Sequence, residues 1–337
     1  GDLGDLVEAE ERIAMRAADG FETVGGCPPI ADIAAITAAP DGARHDKRGA
    51  LADRRRAPEM EAARLDLADV EERRGEGGGH NGNGGNLLKS RHERSEIHSN
   101  WFEGSVYQEI ELIGPDCETQ ASGWTRATRR EDSELVNNVI VHTSTTWPHA
   151  IRLGGDLNGA SDGRVRMVGN TIVFDRPGAA TAVYVQLGLG SVEMHNNAIF
   201  QTGGAAPAIL RENTTADTPV CAPFVTTPWS GARSVFGTRN WIQSMATSVP
   251  PEWTGTVTGG DPGFRDVAAR NFRPLTTSPL RNAGSNRPPS PAAFPMPWPL
   301  PLVLFDPPLR IKPVIGDHRP RIPQGYFTVD IGAFEAP

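Results

Sequence analysis

From residue 95 onward the apolar positions recur in a fixed local pattern rather than at helical spacing. Four segments align without gaps: SEIHSNWFE (95–103), SELVNNVIV (133–141), VRMVGNTIV (165–173) and VEMHNNAIF (192–200). Each carries a large apolar residue three positions before an Asn: Ile97 before Asn100, Leu135 before Asn138, Met167 before Asn170, Met194 before Asn197. Each also carries an apolar residue two positions after that Asn: Phe102, Ile140, Ile172 and Ile199. A second set of segments follows: YQEIELI (107–113), HAIRLG (149–154), AVYVQL (182–187) and AAPAIL (205–210). These alternate apolar with polar residues or are continuously apolar, as strands do.

The steps between successive Asn residues are 38, 32 and 27. A fixed local pattern with a variable step describes one stacked unit whose loops differ in length. Asn suits the recurring bend, because it tolerates left-handed backbone and its amide can bond the same amide one rung away. A parallel coil rising about 4.8 Å per rung stacks like residues on like. The alternative is an antiparallel sandwich of short strands, in which nothing requires the same Asn at the same offset. The coil register places Ile97, Leu135, Met167 and Met194 in one buried column beside a column of the four Asn residues.

The first 80 residues are a different text. They contain no Ser, Asn, Gln, Tyr or Trp, and 29 of them are charged, against 45 of the remaining 257. Seven-residue spacing of Leu6/Ile13 and Met60/Leu67 fits two helices, with an RRR run (54–56) between them. Three readings stay open: a solvated helical or disordered extension, a capping domain, or an out-of-frame translation of a GC-rich gene. No β-coils are expected there, which leaves the rung near Leu87 and Leu88 as an open strand edge. The expected organisation is 1–83 as this segment, 84–284 as the coil stack, 285–327 as a Pro-rich insertion and 328–337 as a terminal strand. Prolines 288–323 cannot donate ladder bonds, so the insertion belongs outside the sheets.

The Asn-Asn-apolar repeats resemble right-handed parallel β-helix proteins of the pectate-lyase-like type. GGNLLKSR (84–91), followed by SEIHSNWFEG and YQEIEL, is similar to a recurrent stretch in bacterial members. DPGFRDVAARNFRPLTTSPLRNAG (261–284) and DIGAFE (330–335) resemble their closing segment and last strand. The resemblance implies an all-β, right-handed parallel β-helix solenoid that is extracellular or periplasmic. It implies either a carbohydrate-active protein, a polysaccharide lyase on acidic glycans, or a non-catalytic surface module that binds carbohydrate or serves as structure. Such lyases typically use Lys or Arg as the base and Ca²⁺ to acidify the proton beside a uronate carboxylate.

Taking Leu88, Ile110 and Ile151 as stacked inward residues puts Lys89, Glu111 and Arg152 side by side on an outer face. Lys89 and Arg91 are then the candidate catalytic bases, and Glu109, Glu111 and Arg152 the candidate substrate-binding residues. Their alternating signs suit an acidic sugar, with a carboxylate holding a cation such as Ca²⁺. They suit equally a cross-strand salt-bridge ladder that fixes register. Convergence in a groove would mark the enzyme, and a flat paired ladder the module.

The rest of the chemistry narrows the field. A net charge of −8 argues against nucleic acid or an anionic membrane as partner, and no apolar run is long enough to span a bilayer; a monomer is expected. Cys27, Cys117 and Cys221 form no metal or disulfide pattern. His92, His98, His142, His149 and His195 share no metal-ligand spacing and read as surface or turn residues. GDLNGASDG (155–163) lacks a calcium-loop pattern at Ala160, and GGGHNG (77–82) follows no strand. Trp101, Tyr107, Trp124 and Trp147 serve either sugar stacking or packing.

Overall fold

The computed structural model describes residues 85–92, 94–114, 132–155, 163–186, 189–203, 205–213, 234–303, 305–309, 321 and 329–337, together with the backbone of 63–64. Among these residues there are nineteen strands and no helix. Sheet A contains β1 (Ala63–Arg64), β3 (Arg94–His98), β6 (Asp132–Val136), β9 (Arg164–Val168), β12 (Ser191–His195) and β15 (Val235–Thr238). Sheet B contains β2 (Leu88–Ser90), β5 (Ile110–Ile113), β8 (His149–Gly154), β11 (Thr181–Val185) and β14 (Ala208–Glu212). Sheet C contains β4 (Trp101–Glu103), β7 (Val139–His142), β10 (Thr171–Phe174), β13 (Ala198–Gln201), β16 (Trp241–Gln243) and β17 (Val257–Gly259). The chain visits B, A and C in turn and then repeats. Every pairing within these sheets is parallel, which excludes the sandwich. The fold is an all-β parallel solenoid.

The inward columns match the sequence pattern. Ile97 pairs with Leu135, Leu135 with Met167 and Met167 with Met194, and all four side chains are buried. Leu88, Ile110, Ile151, Val183 and Leu210 form the corresponding column of sheet B. Both columns belong to one apolar interior with Phe102, Ile140, Ile172 and Ile199 of sheet C. Burial of each such side chain contributes on the order of 1.5–3 kcal/mol.

Two residues join each sheet A strand to the next sheet C strand, and the two jobs assigned to one Asn are divided between them. The positive φ falls on the first residue: Ser99 (54°), Asn137 (61°), Gly169 (65°), Asn196 (56°) and Arg239 (54°). The second residue builds the ladder. Asn100, Asn138, Asn170 and Asn197 each donate Nδ2 to the Oδ1 of the next ladder Asn, at 3.3, 3.0, 2.9 and 3.0 Å. The same Oδ1 atoms accept the preceding Asn backbone N–H at 2.9–3.0 Å. The ladder runs one rung further than the aligned repeats, ending on Asn240 after a 43-residue step. All five ladder side chains are buried and bonded, so the corner costs no unpaired polar group.

Three features finish the stack. Residues 244–259 make a short closing coil: Thr247 bridges β14, Thr254 bridges β15 and β17 extends sheet C. Trp253 of this coil lies against Gly237, where a Cβ would come within 2.5 Å of the indole. The antiparallel hairpin β18 (Phe264–Asp266) and β19 (Asn271–Pro274) covers the outer face of sheet C. There Phe272 stacks on Trp101 with centroids 5.6 Å apart, so Trp101 is a packing residue. Residues 331–334 dock on the same face through Ile331, Ala333 and Phe334, but as consecutive bends rather than the expected strand. Gly332 N–H bonds Asn196 O at 2.7 Å, and Ala333 N–H bonds Thr171 Oγ1 at 2.9 Å.

The one described strand within 1–83 is β1, whose Ala63 and Arg64 pair with Ser95 and Glu96 and so extend sheet A past β3. The expected helices, the RRR run, GGGHNG, residues 156–162 of the Asp loop, Trp124 and all three cysteines lie outside the described residues.

Candidate functional site

The outer face of sheet B carries the charged row read from the sequence. Lys89 pairs with Glu111, Glu111 with Arg152, Arg152 with Tyr184 and Tyr184 with Arg211. Alternation along each strand turns these residues away from the interior. Glu111 is buried between its neighbours: Lys89 Nζ lies 3.4 Å from Oε2, Arg152 Nη1 lies 2.8 Å from Oε1, and Asn86 Nδ2 also donates to Oε2. Arg152 donates a second bond to Gln186 Oε1 at 2.7 Å. Lys89 keeps half of its side chain in solvent. Tyr184 stacks on His149 with ring centroids 4.5 Å apart and an 11° angle.

Arg91 and Glu109 do not join this row. Arg91 Nη1 donates to the Gly114 carbonyl. Glu109 is buried at the corner of sheets B and C, where its Oε2 lies 2.6 Å from His142 Nδ1 and its Oε1 accepts the Ser105 N–H at 3.3 Å. The other His142 nitrogen, Nε2, donates to the Trp147 carbonyl at 2.8 Å. Burial pushes the Glu109 carboxyl up, against the lowering pull of His142. Arg176 also donates to the Trp147 carbonyl, and burial lowers its pKa. Tyr107 and Trp147 pack edge to face beside this corner, with centroids 5.5 Å apart.

A second charged face lies on sheet A, which sequence reasoning did not single out. Glu96, Glu134, Arg166, Glu193 and Phe236 form its central row in register. Arg166 holds Glu134 Oε2 through Nε at 3.2 Å and through Nη2. His98 Nε2 lies 2.7 Å from Glu134 Oε1. Burial alone would raise the Glu134 pKa, but the hydrogen bonds from His98 and Arg166 outweigh it and hold the carboxyl below its ordinary value. Arg164 grips Asp132 two residues earlier on the same strands, and this bond raises the arginine pKa. His195 Nδ1 bonds Thr238 Oγ1 at 2.9 Å and its Nε2 lies 3.3 Å from Glu193.

The Pro-rich segment is what covers this face. Ser290 donates to Glu193 at 3.0 Å, the Pro295 carbonyl accepts from Arg164, and the Trp298 and Pro299 carbonyls accept from Arg166 at 3.3 and 3.1 Å. Trp298 lies over the Arg94 guanidinium at 4.2 Å, and the Phe305 carbonyl accepts from Ser99 and Asn137. No described residue of 285–309 belongs to a named sheet. A proline-rich chain leaves carbonyls without matching N–H donors, and the sheet's arginines supply them.

The reading of the histidines as surface or turn residues is therefore corrected for three of them. His142, His149 and His195 are buried, because each begins or ends a strand whose neighbours cover it. The missed signal was positional: Glu96, Glu134, Arg166 and Glu193 sit at one offset in the four aligned segments. A hollow of about 480 Å³ beside the closing coil, lined by Ile242, Met245, Ala246, Val249 and Trp253 among others, has no titratable lining residue. No helix among the described residues is long and apolar enough to cross a membrane.

Comparison with protein-family models, with curated proteins and with solved structures gives no match.

Proposed function

We propose that this chain is a non-catalytic β-solenoid module of the pectate-lyase-like type, which binds an extended acidic polysaccharide along the outer face of sheet B. The bracketing of Glu111 between Lys89 and Arg152 carries this reading. A lyase needs a base directed at a substrate carbon and a cation at the uronate carboxylate. On this face the carboxylate is already neutralised, Arg91 is turned to a backbone carbonyl, and Glu109 is committed to His142. A binding face needs less. Lys89, Arg152 and Arg211 place cations in one row with a half-buried Tyr184 between the two arginines. Guanidinium groups pair with carboxylates in two-point contacts, and an aromatic ring offers a sugar an apolar platform.

The expected location is extracellular or periplasmic, where such glycans occur. The test is binding of polygalacturonate and other acidic polysaccharides to the intact chain at low and at raised salt. Binding that weakens with salt and drops in Arg152→Ala and Tyr184→Ala supports the reading. Equal binding by wild type and both variants, or none by wild type, overturns it.

A further inference from the structure

His98, one of two histidines on the described strands of sheet A, stands beside two carboxylates. Glu96 and His98 alternate on the same side of β3, and Glu134 pairs with Glu96 one rung along. One ligand atom from each of Glu96, His98 and Glu134 falls within 4.8 Å of the other two. We propose that these three side chains form a binding site for a divalent transition-metal ion, with zinc as the fitting case.

The donor set argues for that class. Imidazole nitrogen with carboxylate oxygen suits zinc and its neighbours, whereas Ca²⁺ and Mg²⁺ take six or more oxygens. Glu134 is oriented as a ligand carboxylate is. Arg166 occupies Oε2 from one side, leaving Oε1 toward His98. A carboxylate held on its far oxygen by an outer partner presents the near oxygen at a fixed angle, and such partners tune metal sites. Arg94 also holds Glu96, through Oε1. Arg94 is itself fixed by Trp298 of the Pro-rich segment. The contact of 2.7 Å between His98 and Glu134 is shorter than the separation of two ligands on one tetrahedral zinc, which is about 3.3 Å from bonds of about 2.0–2.1 Å. A metal therefore replaces the hydrogen bond by parting the two side chains slightly. His98 and Glu96 keep about a quarter and a fifth of their side chains exposed, so an ion can enter from solvent and a water can complete four ligands.

The site does not depend on the sheet B proposal. It is tested with zinc chloride alone on the intact chain, by calorimetric titration and by melting temperature with and without the ion. Wild type should bind one equivalent saturably and melt higher in its presence. His98→Ala and Glu96→Gln, both partly exposed positions, should fold as wild type does and lose affinity by about tenfold to a hundredfold or more. His92→Ala, outside the cluster, should bind as wild type does. No saturable binding by wild type, or equal binding by His98→Ala, overturns the site.

Discussion

Sheets A and B both carry a row of charged side chains on the outer face, and the two rows differ in how far they are covered. In each, a carboxylate pairs with a cation one rung away, Glu134 with Arg166 on A and Glu111 with Lys89 and Arg152 on B, but on A Glu96 sets a second carboxylate beside Glu134. On A the Pro-rich segment lies over the row and buries Glu134 and Arg166 almost fully. On B the row keeps Lys89 half exposed and Arg152 and Tyr184 partly so. Opposite charges meet across the rungs of both sheets, and what separates the covered face from the more exposed one is the chain that crosses sheet A.

The comparison rests on a common interior, so breaking that interior should affect both faces most. Asn170→Ala removes the Oδ1 that accepts from Asn138 and the Nδ2 that serves Leu135 O and Asn197. Each buried polar group left unpaired costs about 1–3 kcal/mol, so the variant should lose at least about 3 kcal/mol in denaturant unfolding. A loss below about 1 kcal/mol would mean that the ladder is incidental to the stack. Removing one member of the Glu109–His142 pair should come close behind. His142→Ala strands a buried carboxyl and should cost about 3–5 kcal/mol, against little for Lys89, the half-exposed member of the B row.

The covered face itself is probed by Trp298→Ala. Loss of the cation–π contact to Arg94 and of the apolar contact should cost about 1–2 kcal/mol. Limited proteolysis should then cut within 286–303 sooner than in wild type, while glycan binding on sheet B stays as it was. A parallel fall in glycan binding would show that the faces are coupled.

The smallest effect is expected outside both sheets. Asp175 is held below its ordinary pKa by Thr202 and Arg270. Its folded value lies below its unfolded one. Its contribution is therefore present above about pH 4 and is lost as pH falls through the folded value. Asp175 is well exposed, so Asp175→Asn should remove less than about 1 kcal/mol at pH 7 and progressively less as the pH falls. A larger loss at low pH than at neutral pH would reverse the sign.

Much of this molecule was legible in the repeat. One Asn at one offset was enough to align four rungs, because a buried amide ladder tolerates no other residue there. The fifth rung was missed because VFGTRNWI (235–242) places Gly237 where the others have Ile, Leu or Met, and Trp253 from the closing coil fills the gap. The Lys89–Glu111–Arg152 row followed from alternation alone. Glu109 did not, because alternation holds within a strand and Glu109 precedes β5, at a corner where His142 reaches it. The covering of sheet A was not legible either. Proline says where a segment cannot go, but only the three-dimensional path brings Trp298 and Pro299 to Arg166, more than 130 residues away in sequence.

The central claim is that sheet B holds a glycan without cutting it. The most direct measurement follows the ultraviolet absorbance of unsaturated uronates while the intact chain is incubated with each acidic polysaccharide it binds. The account predicts bound polysaccharide and a flat absorbance with any added divalent cation, Ca²⁺ included. A steady rise that is lost in Lys89→Ala or Arg91→Ala, with binding retained, would contradict it and make those residues the bases of a lyase.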